Sequence, residues 1–166
     1  MLPIRIAILT VTLASLPTGV VAQDSQPPKG WKLVTACSFS FLLPKKAREL
    51  KTQMIDSCIA SYEYEDIEIG LDYGLYSAPS SEQDWMKNYQ SRSVTINGRE
   101  ARLVTYEDTK HGGDLLRVTQ LHMITGKATW GSNDVSVLMV INTKRSSDHE
   151  TVKRIYESVK SIEKNK

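Results

Sequence analysis

Residues 58–73, CIASYEYEDIEIGLDY, alternate apolar and polar side chains on both sides of an acidic pair, and this leaves the chain few ways to fold. Successive strand residues point to opposite faces, so Cys58, Ala60, Tyr62 and Tyr64 share one face while Ile67, Ile69, Leu71 and Tyr73 share another. Folding back at Glu65-Asp66 pairs Tyr64 with Ile67, Tyr62 with Ile69, Ala60 with Leu71 and Cys58 with Tyr73. The two apolar faces then coincide, and a slip of one residue would turn one of them to water. An antiparallel hairpin with one buried face is therefore predicted. The same register sets Glu63 opposite Glu68, beside Glu65 and Asp66, a like-charge pairing that solvent or a cation would have to relieve. A divalent-ion site at this tip is one reading. A solvated turn is the other, and the lack of a D-x-D-x-D loop with a trailing glutamate favours it.

The opposite face of the second strand carries Gly70, Asp72 and Gly74, with Tyr76 beyond them. Glycine has no Cβ, so either a packed element or a ligand can approach the backbone there. In one reading a helix packs on this face and Asp72 pairs with Lys153 or Arg154. In the other, Gly70 and Gly74 floor a pocket, Asp72 supplies the binding carboxylate and Tyr76 an aromatic wall.

The chain opens with Arg5, an apolar run over residues 6–16, and Val20-Val21-Ala22. A short positive region, an apolar stretch too brief to span a bilayer and a small-residue site make residues 1–22 a predicted secretory signal peptide. Residues 23–166 are then expected to form a single domain, secreted or periplasmic, with no membrane span after cleavage. Two cysteines are present, Cys37 and Cys58, and an oxidising compartment lets them persist as a disulfide closing a loop of about 20 residues. With 21 basic and 19 acidic residues the net charge is +2, which argues against nucleic acid as a partner.

Residues 36–44 alternate as a first strand that sets Cys37, Phe39, Phe41 and Leu43 on one face and ends at Pro44. Ser80 or Ser81 followed by Trp85, Met86 and Tyr89 at three- and four-residue spacing predicts a short mid-chain helix. Asn97-Gly98 predicts a type I′ turn between two further strands. Residues 114–125 and 133–143 read as central strands, rich in β-branched residues. Ser147 and Glu150 in capping-box spacing, then Val152, Ile155, Tyr156, Val159 and Ile162 along one stripe, predict a C-terminal amphipathic helix. The fold class expected is α+β: a mainly antiparallel sheet of six to seven strands covered by the mid-chain and C-terminal helices.

The phenylalanine-bearing strand ending at Pro44, the hairpin over residues 96–103 and the final IYESVKSI segment together resemble the PsbP-like family. That family includes photosystem II extrinsic proteins and exported bacterial proteins such as DcrB. The resemblance implies a small non-enzymatic accessory or binding domain.

Catalytic signatures are absent from the sequence: there is no G-x-S-x-G, no Walker loop, no G-x-G-x-x-G and no H-E-x-x-H. His111, His122 and His149 are scattered, and no cofactor or metal is expected. The leading expectation is an exported binding or accessory domain with a protein or small-molecule partner. One alternative is a small enzyme or metal-dependent protein using Asp72 with His122 or the acidic tip at residues 63–68. Another is a protein-interaction module presenting an edge strand or Trp130.

Overall fold

The computed structural model describes residues 26–52, 57–75, 77–109, 115–127, 134–144 and 148–162. The segment 1–22, Tyr76, His111, Trp130 and Ser147 lie outside the described residues, and with them the readings that rest on those positions. Strands take up 64 % of the described residues and helix 8 %. This corrects the expected α+β class: the protein is mostly β, with one helix among the described residues and two antiparallel sheets.

The ten strands are β1 (Trp31–Ala36), β2 (Phe39–Pro44), β3 (Arg48–Leu50), β4 (Cys58–Tyr64), β5 (Ile67–Gly74), β6 (Met86–Ile96), β7 (Arg99–Asp108), β8 (Leu116–Lys127), β9 (Asp134–Thr143) and β10 (Lys160–Ser161). The helix α1 spans His149–Glu157. The large sheet runs β3-β4-β5-β9-β8-β7-β6 and the small one β1-β2-β10. The acidic-turn hairpin adopts the predicted register from Cys58 opposite Tyr73 to Tyr64 opposite Ile67. The Asn97-Gly98 turn also forms, with φ of 49° and 80° at its two residues, a left-handed pair that asparagine and glycine tolerate best. β9 sits at the centre of the large sheet with β8 beside it, as their β-branched composition suggests.

Three segments depart from expectation. The stripe expected to be helical through Ile162 is helix only as far as Glu157; Ser158 ends it, and Lys160–Ser161 pair with β2 as a short strand. Residues 36–44 are not one strand: Cys37 and Ser38, at φ of 50° and 64°, form the two-residue turn between β1 and β2. The disulfide therefore ties the tip of the small-sheet hairpin to the start of β4, with Cα atoms 5.5 Å apart. The predicted mid-chain helix is absent, and Met86–Ile96 is an edge strand instead. Its helix-like spacing has a local cause. A bulge between Lys87 and Gln90, with Asn88 at φ 54°, inserts one residue into the alternation, so Met86 and Tyr89 join one cluster despite their odd separation. Ser80 caps no helix. Its N–H donates to Gln120 Oε1 at 2.8 Å, and its hydroxyl accepts from Gln120 Nε2 at 3.0 Å.

The large sheet is packed on both faces. On its inner face the main core joins Phe39, Phe41 and Leu43 of β2 to Ile69, Leu71, Met139 and Ile141, with Val152, Ile155 and Tyr156 of α1 closing over them. Phe39 meets Tyr73 and Phe41 meets Tyr62 edge to face, with ring centroids 5.6 and 5.8 Å apart. On the outer face a smaller cluster gathers Met86, Val104, Tyr106 and Val118 with Trp85 and Tyr89. The helix ends are fixed by distant groups. Ser158 Oγ donates to Ile155 O at 2.7 Å and accepts from the Leu42 N–H at 2.8 Å. Asn97 Nδ2 donates to Val159 O at 2.7 Å, so the hairpin turn also holds the segment after the helix. Asp148 makes no side-chain cap and accepts from Thr143 Oγ1 instead.

Candidate functional site

Gly70, Asp72 and Gly74 lie on the outer face of β5, while α1 lies on the inner face. The reading in which a helix packs on the glycine face, with Asp72 pairing to Lys153 or Arg154, is thereby overturned. Arg154 instead stands over the Trp31 ring, 5.0 Å from its centroid. The two glycines differ in what they allow. A Cβ on Gly74 would come within 3.1 Å of Ser57 Cβ, whereas one on Gly70 would meet nothing closer than Val140 O at 4.0 Å. Close chain approach thus accounts for Gly74 and not for Gly70. Asp72 is half-buried, and among the described residues its Oδ1 has no hydrogen-bond partner.

His122 shares a row of the outer face with Asp72, but Leu138 of β9 stands between them in the register. Two strand spacings put their Cα atoms roughly 10 Å apart. Burial lowers the His122 pKa below its usual value, and neighbouring Arg102 lowers it further, against a hydrogen bond to the Ser77 backbone. His122 is therefore a neutral, positioned imidazole at neutral pH. At the acidic tip, Glu63 faces Glu68 as predicted, and Arg48 of β3 forms an ion pair with Glu63. Arg48 thus relieves from within the protein the like-charge pairing that was expected to need solvent or a cation. Among the described residues no group of three or more His, Cys, Asp or Glu is placed to hold a metal ion.

A different site is assembled on the inner face. Gln90, Thr105, Thr119 and Ile141 occupy one row across β6, β7, β8 and β9. The next row on the same face runs Arg92, Leu103, Leu121 and Met139. The β9 ends of these rows are buried core. Their β6 ends are not: Gln90 and Arg92 are exposed and Thr105 and Thr119 half-buried. The polar ends floor a groove of about 440 Å³ whose wall is His149, Val152 and Tyr156 of α1. Its volume lies within the range of small-molecule sites.

The charges of the groove are unequally engaged. Arg117 Nε lies 3.4 Å from Glu107 Oε1, and Glu107 Oε2 accepts from Asn88 Nδ2 at 2.8 Å. Among the described residues the side chains of Gln90, Arg92, Thr105 and Thr119 make no hydrogen bond or ion pair. Arg92 is near enough to Tyr156 to oppose the rise that burial imposes on the phenol pKa. The arrangement presents one unpaired guanidinium and two hydroxyls beside an apolar wall. Sequence reasoning passed over these residues, placing His149 and Tyr156 only in an amphipathic helix. A signal was present: the inward positions pass from apolar to polar in each strand, from Ile96 and Val94 to Arg92 and Gln90, from Ala101 and Leu103 to Thr105 and Glu107, and from Met123 and Leu121 to Thr119 and Arg117.

No family model matches the chain and no curated protein matches it in sequence. Among solved structures it is similar to a protein chain from Bacteroides thetaiotaomicron VPI-5482, with 9 % identity and a TM-score of 0.45 over 78 % of this chain and 47 % of that one. This chain thus spans about half the length of that neighbour.

Proposed function

We propose that the protein is an exported, non-enzymatic binding or accessory domain whose ligand site is the groove between α1 and the β6–β8 part of the inner face. The observation that carries this reading is the row Gln90-Thr105-Thr119 with Arg92 beside it. Among the described residues these are polar groups without internal partners, on a sheet face whose β4, β5 and β9 part is core. Gln90 and Arg92 are exposed, but Thr105 and Thr119 are half-buried hydroxyls opening onto a cavity, and polar groups leaving the surface ordinarily find a partner in protein, water or ligand, which supports an external partner here. The predicted leader, together with the Cys37–Cys58 disulfide and the lack of any helix among the described residues long and apolar enough to cross a membrane, supports placement in an exported compartment. The proposal includes kinship with the PsbP-like family, which rests on the strand ending at Pro44, the Asn97-Gly98 hairpin and the terminal helix.

Native mass spectrometry of the protein purified from its exporting host, compared with its denatured mass, tests the reading. A mass excess is expected that is released on denaturation and is missing from the double variant Arg92→Glu/Thr105→Val. An excess that persists in that variant would place the ligand elsewhere. Turnover of hydrolase or redox substrates by the pure protein would overturn the non-enzymatic assignment.

A further inference from the structure

Resting on the groove as the binding site, we infer that its ligand is a small organic monocarboxylate, held by the Arg92 guanidinium and the Thr105 and Thr119 hydroxyls with its apolar body against α1. The charge balance selects the carboxylate. Arg117 and Glu107 neutralise one another at one end of the groove, 3.4 Å apart. Arg92 is then the only unpaired fixed charge among the described lining residues, a single positive unit. A carboxylate carries one negative charge in a plane that matches the guanidinium fork. A phosphate monoester carries about 1.5 to 2 negative charges at neutral pH, which one arginine does not balance.

The neighbours of Arg92 complete the recognition. Thr105 and Thr119 face each other across β7 and β8 in register, so two hydroxyl donors stand side by side on the floor. Leu103, Val152 and Tyr156 line the same groove and offer apolar surface within reach of the polar row. A fully polar ligand would leave that wall unused, and a fully apolar one would strand the guanidinium and the hydroxyls without partners.

The test is a titration of the isotope-labelled protein with acetate, hexanoate, 3-phenylpropionate, 3-phenylpropanol and phenyl phosphate, followed by amide chemical shifts. Saturable shifts at residues 90–92, 105 and 119 and on α1 are expected with hexanoate or 3-phenylpropionate, and not with 3-phenylpropanol. Arg92→Gln should weaken that binding at least tenfold while leaving the denaturation midpoint unchanged, and Arg92→Lys should fall between, since it keeps the charge and loses the fork. Tighter binding of phenyl phosphate, or equal binding of the alcohol, would overturn the carboxylate assignment while the groove remains the site. If no carboxylate shifts these amides, the inference fails. Shifts confined to the outer face would overturn the groove reading as well.

Discussion

On the inner face of the large sheet, two regions of the same surface have opposite fates. Across β4, β5 and β9, Ala60, Tyr62, Ile69, Leu71, Met139 and Ile141 are 8 % exposed or less, covered by β2 and α1. Along the same row as Ile69 and Ile141, β8, β7 and β6 present Thr119, Thr105 and Gln90 to a groove. The backbone ladder is continuous through both regions, so hydrogen bonding does not distinguish them. What differs is the side-chain chemistry and whether a second layer lies above it. A sheet face is therefore not uniformly core, and the place where its apolar rows turn polar beside a cavity is where a ligand is sought.

The comparison breaks first in the covered region. Leu71→Ala or Ile155→Ala removes a side chain that is at most 1 % exposed, and a loss of about 2–5 kcal/mol in denaturant-unfolding stability is expected. A loss below about 1 kcal/mol would mean that this half is not the core. Next, the disulfide holds the small-sheet hairpin against β4. Cys37→Ser/Cys58→Ser should lower stability by roughly 3 kcal/mol, measured against the oxidised protein. An unchanged midpoint would show that packing alone seats β2 on the large sheet.

Smaller effects sharpen the contrast. Gly74→Ala should be destabilising, because its Cβ would press on Ser57 at 3.1 Å, while Gly70→Ala should be tolerated. Equal effects at the two positions would refute the packing account. His122 tests the outer face. Its pKa is lowered in the folded protein from the ordinary 6.5, so below about pH 6.5 the unfolded chain takes up a proton that the folded chain excludes. Stability should fall as pH drops from there and level off once the folded imidazole titrates. His122→Asn should flatten that slope relative to wild type, and an unaltered slope would show that the imidazole is no more buried in the folded chain than in the unfolded. The smallest change is expected in the open region. Thr105→Val/Thr119→Val should shift stability by less than about 0.5 kcal/mol, since neither hydroxyl has a partner among the described residues. A substantial loss would assign the row to structure instead of to a ligand.

The hairpin at Glu65-Asp66 was legible because a half-buried strand has a period of two, and only one register brings both apolar faces together. Asn97-Gly98 was legible because few residue pairs accept two left-handed conformations in succession. The helix expected after Ser80 failed on equally physical grounds. Trp85, Met86 and Tyr89 carry a helical spacing, but the bulge at Asn88 produces the same spacing in a strand. Tyr106, on the neighbouring strand β7, then receives Trp85 edge to face and Tyr89 in a stacked arrangement, at 5.9 and 6.5 Å. Local propensity did not decide that segment. Partners brought in by the fold did.

For the site, the outcome was similar. Gly70, Asp72 and Gly74 drew attention as an unusual pattern within one strand, but the groove draws its residues from β6, β7, β8 and α1. The sequence by itself determined the cysteine pair, the two tight hairpins and the amphipathic stripe of α1, since each depends on residues near one another in the chain or on composition alone. Only the tertiary structure decided which sheet face α1 covers, that Arg48 relieves Glu63, and that Arg92, Thr105 and Thr119 stand together. Strand order and lateral register are set by long-range packing, and no period within a single strand encodes which side chains will meet across four of them.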